Sequence, residues 1–301
     1  MFRNDKLYGF VILHYMAFDM TTKCVTNLLD RFGNYNIRIV IVDNASPNGS
    51  GQKLMDYYND NNLVSIIINH ENLGFANGNN VGYRYVNEKF NPDYVVVMNN
   101  DVLINQDEFL DLVDFDYFND DYSVLGPDIY CKEKEQHQNP AHKKLFTLNE
   151  LYNLEHYYSK LVKNPAFYYW KDKIAYSKIV SKVKGRDQKV FAENVSAKDK
   201  NVVLHGACYV FSKNFISKKE NCFCPRTFMY FEEDILAYEC IRDNMKIVYD
   251  PELKVEHLED VSTNLSFSSE FNKYKMKNFE FLKSVRVLID MINKDSTQKG
   301  R

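Results

Sequence analysis

Residues 94 to 101 read YVVVMNND. Val95, Val96, Val97 and Met98 make a short apolar run, and its β-branched residues favour a buried strand over a helix. Asn99, Asn100 and Asp101 follow at once. That triplet is good turn chemistry. It also sets an acidic residue where the carboxyl end of a strand would be. In open α/β sheets, ligands gather at those ends. Asp101 is therefore a candidate to meet a metal ion or a phosphate-bearing ligand.

Upstream, the same pattern recurs. YGFVILHY (8 to 15) reads as a buried strand, with IRIVIV (37 to 42) and VSIII (64 to 68) as the second and third strands. Helical patterns separate them, with Cys24, Val25, Leu28 and Leu29 on one face and a second helix near 54 to 58. A third helix runs to Phe90 and breaks at Pro92. Alternating strand and helix predicts an α/β fold with a mostly parallel central sheet flanked by helices.

Downstream, 109 to 118 reads as a helix and 125 to 130 as a strand. From 131 to 201 the chain turns rich in Lys, Tyr and Asn, which predicts a helical insert. Lysines mixed with aromatic residues suit a membrane surface, although a solvated face with core aromatics is the plainer reading. Residues 202 to 211 read as a strand with Gly206 in its middle. A polar helix follows at 214 to 220, then a helix opening at EED (232 to 234). Short strands are expected at 246 to 249 and 253 to 255. A C-terminal helix is expected from 267 to 292, and the closing NKDSTQKGR is expected to lack order. The expected divisions are 1–130 and 202–265 as two halves of one domain, 131–201 as the insert and 266–301 as helix and tail.

Composition excludes some partners. The formal net charge is -3, so nothing global favours nucleic acid. No stretch approaches the ~20 apolar residues of a membrane helix. The six cysteines are scattered, and Cys222-Phe-Cys224 is not a zinc spacing. With no signal peptide at the start, free thiols in a reducing cytoplasm are expected.

Polar groups therefore follow several strand ends: Asp43-Asn44, the run 69 to 80, Asn99 to Asp101, and the acidic cluster 232 to 234, with His257 beyond. Each has a structural explanation of its own: turn residue, helix N-cap, or complement to a helix dipole. A parallel sheet would nevertheless gather them on one edge. Gly74, Gly78 and Gly82 let backbone approach a ligand where a helix begins. Their spacing matches neither a dinucleotide fingerprint nor a P-loop. A nucleotide-sugar site fits better: a divalent cation bridges the diphosphate and offsets charge on the leaving group. A carboxylate would take the acceptor hydroxyl's proton.

Taken together, IVIVDNAS (39 to 46), NHENLGFANGNNVG (69 to 82), VVVMNND (95 to 101) and YFEEDILAY (230 to 238) before His257 resemble the family 2 glycosyltransferases of GT-A (Rossmann-like) fold. FVILHY and HLEDVST are similar to its bacterial rhamnosyltransferase-like, polysaccharide-building subgroup. The resemblance covers roughly 8 to 130 and 202 to 265, not the insert. It implies an inverting transferase that moves a sugar from a UDP- or dTDP-linked donor to a saccharide hydroxyl in capsular or cell-wall polysaccharide biosynthesis. By the same resemblance, Asp43 contacts the base or ribose. Asn44, Asn72, Gly74, Asn77, Asn80 and Asn100 line the nucleotide pocket. Asp101 and His257 hold Mg²⁺ or Mn²⁺. The family's Asp-x-Asp motif reads Asn99-Asn100-Asp101 here, so one carboxylate remains for the ion. Glu233, 24 residues before His257, is the expected base and Asp234 its rival. A lipid-linked acceptor, contact with the inner face of the plasma membrane and a homo-oligomer complete the expectation. A sugar nucleotidyltransferase would carry a Gly-rich, basic loop after the first strand, where HYMAFDMTT stands. A non-catalytic sugar-nucleotide-binding module is the other alternative.

Overall fold

The computed structural model describes residues 6–180, 197–258 and 269–299. Strands β1 (Tyr8–His14), β2 (Ile37–Asp43), β3 (Val64–Ile68) and β4 (Tyr94–Asn99) alternate with helices α1 (Phe18–Phe32), α2 (Ser50–Tyr57) and α3 (Gly74–Phe90). All four strands are parallel, in the spatial order β3-β2-β1-β4. The chain thus moves outward from β1 to β3, then returns to β1's other side as β4. Such a reversal opens a crevice at the carboxyl ends of the strands.

Alternation explains the burial on both sheet faces. Phe10, Ile12, Val96 and Met98 pack with α1 residues on one side; Val11, Val95 and Val97 pack with α3 residues on the other. Each of these fully buried side chains contributes roughly 1.5–3 kcal/mol. Helix α1 buries Cys24, Val25, Leu28 and Phe32 at helical spacing. Helix α3 lies close to the sheet because Gly82 carries no side chain: a Cβ there would sit 2.5 Å from Val11 Cγ1.

The second half completes the same sheet. Strand β5 (Val102–Leu103), α4 (Phe109–Asp120), β6 (Val124–Cys131) and β7 (Gln136–His137) come next. Helices α5 (Leu148–Lys163) and α6 (Pro165–Val180) follow, then β8 (Asp199–Lys200), β9 (Cys208–Ser212) and α7 (Lys213–Ile216). Helix α8 (Glu232–Arg242), β10 (Ile247–His257) and the long α9 (Glu270–Lys299) end the described chain. Strand β9 inserts antiparallel between β4 and β6, and β10 runs parallel to β6. The sheet is therefore mixed, flanked by helices, with a C-terminal helix. Among the described residues no helix is long and apolar enough to cross a membrane.

Several element boundaries differ from the sequence reading. The strand expected at 202 to 211 begins only at Cys208. Val203 pairs instead with His142, and Asn139 Oδ1 accepts from the His205 amide at 3.0 Å. Gly206 therefore stands in a turn, not mid-strand. The two strands expected near 246 to 255 are one, β10, with a register shift between Asp250 and Lys254. The helix expected at 214 to 220 is the single turn α7. Helix α9 continues through 293 to 299, which were expected to lack order. Val285, Leu288 and Ile289 anchor it on Ile235 of α8 and Leu151 of α5. The insert, expected to be helical, opens with the end of β6, with β7 and with the His142–Val203 bridge. Its helices run from Leu148 to Val180, with a Thr147–Glu150 capping box opening α5 and Pro165 at the first position of α6. Both helices pack on α9. Residues 181–196, which end the insert, and the remainder of HLEDVST after Leu258 lie outside the described residues.

Candidate functional site

A cleft of about 590 Å³ opens where β1 and β4 end. Leu13 and Tyr15 reach it from β1, and Asn99, Asn100 and Asp101 from β4. Asn44 follows β2, while Asn72, Gly74 and Phe75 open α3. The far wall comes from later in the chain: His205 to Ala207 before β9, Phe228 to Tyr230, Glu232 and Glu233 before and in α8, and Met276 of α9.

Asp101 is 5 % exposed and its Oδ1 accepts no hydrogen bond. Nε2 of His257 lies 3.3 Å from that oxygen. The two meet because β5 turns back after Asp101 and pairs antiparallel with the end of β10, matching Val102 to His257. The Leu258 amide donates to the Asp101 carbonyl at 2.9 Å. Nδ1 of His257 donates to Gln138 Oε1 at 2.8 Å, so whenever the ring carries a single proton Nε2 is its acceptor nitrogen. In that form the carboxylate oxygen faces a nitrogen lone pair. Adjacent ligands around an octahedral ion with ~2.1 Å bonds stand about 3 Å apart, so the pair fits a divalent cation. Among the described residues no three His, Cys, Asp or Glu side chains converge on a point. Two protein ligands suit an ion whose other ligands are waters and substrate phosphates.

Asn44 organises the entry to α3. Its Nδ2 donates to Asn72 Oδ1 at 2.9 Å and to the Gly74 carbonyl at 3.0 Å. Its Oδ1 accepts from Asn69 Nδ2 and the Leu73 amide. Gly74 takes φ 78° and presses on the Phe228 backbone, so a side chain there has neither conformation nor space. The Phe75 amide donates to the Phe228 carbonyl at 2.6 Å. This contact joins α3 to the loop before α8.

Four expected ligand residues do not line the cleft: His257, which stands behind Asp101, and three residues that hold loops. Asp43 is 2 % exposed and accepts from the Ser46 amide and hydroxyl. Asn77 donates to the Pro225 and Thr227 carbonyls. Asn80 exchanges hydrogen bonds with the Phe223 backbone at 2.9 Å. The last two tie α3 to the 222–227 loop.

Asn100 reaches the cleft and donates from Nδ2 to Thr21 Oγ1 at 2.9 Å. That hydroxyl is hydrogen-bonded to His14 Nδ1 at 2.7 Å, and His14 Nε2 to Ser50 Oγ at 2.7 Å. Burial pushes His14 down to about 4, against the pull of Asp43. The imidazole is a neutral strut beneath Asn100.

The acidic cluster opens α8. Glu232 and Glu233 line the cleft; Asp234 does not and is 2 % exposed. Burial first, then the charge of Glu233, push Glu232 and Asp234 up to about 8. Burial also raises Glu233. Glu232 Oε1 and Asp234 Oδ1 have no hydrogen-bond partner. Tyr230 and Phe231, just before the cluster, both adopt left-handed backbone with φ 71° and 70°. Two consecutive non-glycine residues there store strain of order 1–3 kcal/mol each. The carboxyls thus sit at the start of a helix whose entry is held out of its relaxed form.

Sequence reasoning missed Tyr15, His205, Phe228, Tyr230 and Met276 as cleft residues, and Gln138 as the partner of His257. Gln138 and Met276 lie in stretches read as insert and tail, where no local motif marks them. His205, beside Gly206 at a strand end, carried a signal that was readable.

More than half of the chain, residues 10–181, matches the family described as "Glycosyl transferase family 2". Among curated proteins none matches. Of solved structures, the mannosyltransferase PcManGT from Pyrobaculum calidifontis, in complex with GDP-Man and Mn²⁺, aligns over 96 % of this chain and 75 % of its own, at 10 % identity and TM-score 0.52. At that identity the likeness is one of fold. Residues 1–349 of S. aureus TarS, in complex with UDP-GlcNAc, align over 41 % of this chain at 17 % identity and TM-score 0.35. The chain spans about a third of that protein's length (34 %).

Proposed function

Because the chain belongs to glycosyl transferase family 2, and is by that membership a glycosyltransferase, we propose that it transfers a sugar from a UDP- or dTDP-linked donor to a saccharide hydroxyl, with inversion. The observation that carries this reading is that Asp101 and Glu233 line one cleft from opposite walls. Asp101 and His257 would hold a divalent cation, which when bound offsets charge on the diphosphate. Asn44 and Asn72, which line the cleft, orient the donor, and they hold the start of α3 in place by accepting from the Leu73 and Gly74 amides. Glu233 takes the proton from the acceptor hydroxyl. The hydroxyl oxygen then forms its bond to the anomeric carbon as the bond to the nucleoside diphosphate breaks. Burial raises Glu233, which strengthens it as a base near neutral pH. Glu233 is favoured over Asp234 because Asp234 lies outside the cleft lining.

The rhamnosyltransferase-like subgroup and a role in capsular or cell-wall polysaccharide assembly belong to the same proposal. They rest on the motif resemblance alone. A lipid-linked acceptor would bring the protein to the inner membrane face, and the aromatic surface of α6 suits that contact, with Phe167 and Trp170 65 % and 61 % exposed.

A melting panel of UDP, dTDP, GDP and CDP, each with and without Mn²⁺, tests the donor reading. A ligand of the native state raises the melting temperature by mass action. The expected result is a Mn²⁺-dependent rise with UDP or dTDP, lost in Asp101→Ala. A panel with no shift overturns it.

A further inference from the structure

Outside the cleft, a second space of about 410 Å³ lies between the end of α5, the start of α6 and the first turns of α9. Leu161, Val162, Pro165, Met276 and Phe279 make its walls apolar, and Lys275 stands at its rim. Met276 also lines the candidate cleft, so the two spaces share a wall. Lys275 and its neighbour Lys277 are exposed, and among the described residues neither has a carboxylate partner. Lys277 sits 5.9 Å over the ring of Tyr230, itself a cleft residue. Apolar walls of this kind select for a hydrocarbon chain, because they gain by excluding water and offer few polar groups to anything else. Lys275 on the groove side and Lys277 on the cleft side, over Tyr230, flank Met276 and favour an anion at the end of that chain.

We propose that this groove holds the apolar chain of a lipid-linked acceptor, whose anionic head is met by Lys275 and Lys277 and whose sugar enters the cleft past Met276. The identity of the occupant as acceptor rests on the transferase reading above. The groove's taste for an anionic amphiphile does not. A membrane-borne substrate would approach from the face where α6 exposes Phe167 and Trp170, and would need to leave the bilayer only as far as this groove.

The test uses the cysteines. All six are buried, so a Met276→Cys variant of the full chain presents a selectively reactive thiol at the shared wall. Dodecyl phosphate, kept below its micellar concentration, is expected to slow maleimide labelling of that variant at least tenfold. Inorganic phosphate and dodecyl maltoside are expected to slow it less than twofold. Adding Lys275→Glu with Lys277→Glu, both at exposed positions, should abolish the protection while the melting temperature holds. Adding Phe279→Ser should do the same through the chain. Labelling untouched by dodecyl phosphate, or slowed equally by inorganic phosphate or by the neutral maltoside, overturns the proposal. The nucleotide melting panel is read separately on the unmodified protein. Protection without a nucleotide shift keeps the groove and removes the donor reading; a shift without protection does the reverse.

Discussion

Nε2 of His257 stands 3.3 Å from Oδ1 of Asp101, although 156 residues separate them in the chain. Both atoms are acceptors when the ring is neutral, since its Nδ1 hydrogen is committed to Gln138. A cation relieves the opposition. Gln138 fixes the ring's tautomer, and loss of such a supporting partner lowers metal affinity about 10–100-fold. Gln138→Leu is therefore expected to weaken Mn²⁺ binding by that factor. Titration of Mn²⁺ into the UDP-saturated protein by calorimetry checks it. Unchanged affinity would remove Asp101 and His257 from the metal site.

Of the three acids that open α8, Glu232 and Glu233 border the cleft and Asp234 does not. Glu233→Gln is expected to reduce transfer about 10²–10⁴-fold, the usual weight of general base catalysis, with nucleotide binding intact. Asp234→Asn is expected to act on stability more than on turnover. Single-turnover rates of the two variants decide the assignment: full loss in Asp234→Asn with turnover retained in Glu233→Gln would reverse it.

The raised carboxyls have a consequence for pH. Between the ordinary carboxylate range and about 8, Glu232 and Asp234 keep protons in the folded state that the unfolded chain has released. The unfolded state then binds fewer protons, so stability falls as pH rises through this window. Each group removes about 1.4 kcal/mol per pH unit inside it. The melting temperature is expected to decline from pH 5.5 to 8, and Asp234→Asn is expected to flatten the decline. His14 acts at the other end. Its folded value near 4 lies below its unfolded one, so its own contribution falls as pH drops below about 6.5 and offsets part of what the two acids add there. Scanning calorimetry across pH reads both effects.

Thr21 carries the link from Asn100 to His14. Thr21→Val keeps the shape and leaves a buried imidazole nitrogen and a buried amide without their partner. The expected cost is about 1–3 kcal/mol, with a looser Asn99–Asp101 turn and weaker Mn²⁺ binding. Thr21→Ser is expected to restore both. Urea unfolding and the Mn²⁺ titration together separate the structural loss from the effect on the turn.

Gly74 has φ 78° and rests against Phe228. Gly74→Ala is expected to cost at least about 1–3 kcal/mol through backbone strain and to displace the 228–230 loop from the cleft. The same urea experiment measures the first, and the nucleotide melting shift the second.

Much of the fold was legible because its signals are local. The runs at 8 to 15, 37 to 42, 64 to 68 and 94 to 98 are apolar and β-branched enough to read as strands, although 64 to 68, at the sheet edge, buries only Val64. Their alternation with helical patterns implies parallel pairing. Where the reading slipped, a contact distant in sequence had overridden a local pattern. Val202 to Leu204 has strand composition, yet Val203 takes its hydrogen bonds from 141–142. The residues after Ile292 are polar, yet they stay helical as an extension of the buried stripe at Val285 to Ile289.

For the site the division is sharper. The sequence alone determined which polar groups close two of the apolar strands, because periodicity and turn chemistry act over a few residues: Asn44, and Asn99 to Asp101. The acids at 232 to 234, read as following a strand end, instead open helix α8. The sequence also determined the family, through motifs each confined to a short stretch. Only the tertiary structure decided which of those groups share a space. Asp43, Asn77 and Asn80 are polar and near the right strand ends, but their hydrogen bonds hold loops. Gln138 and Met276 carry no motif, but strand pairing and helix packing deliver them to His257 and to the cleft. Side-chain direction at a strand end depends on register, and the β5–β10 pairing that joins Asp101 to His257 is a contact across half the chain. No local pattern encodes that pairing; it exists only once the sheet has closed around it.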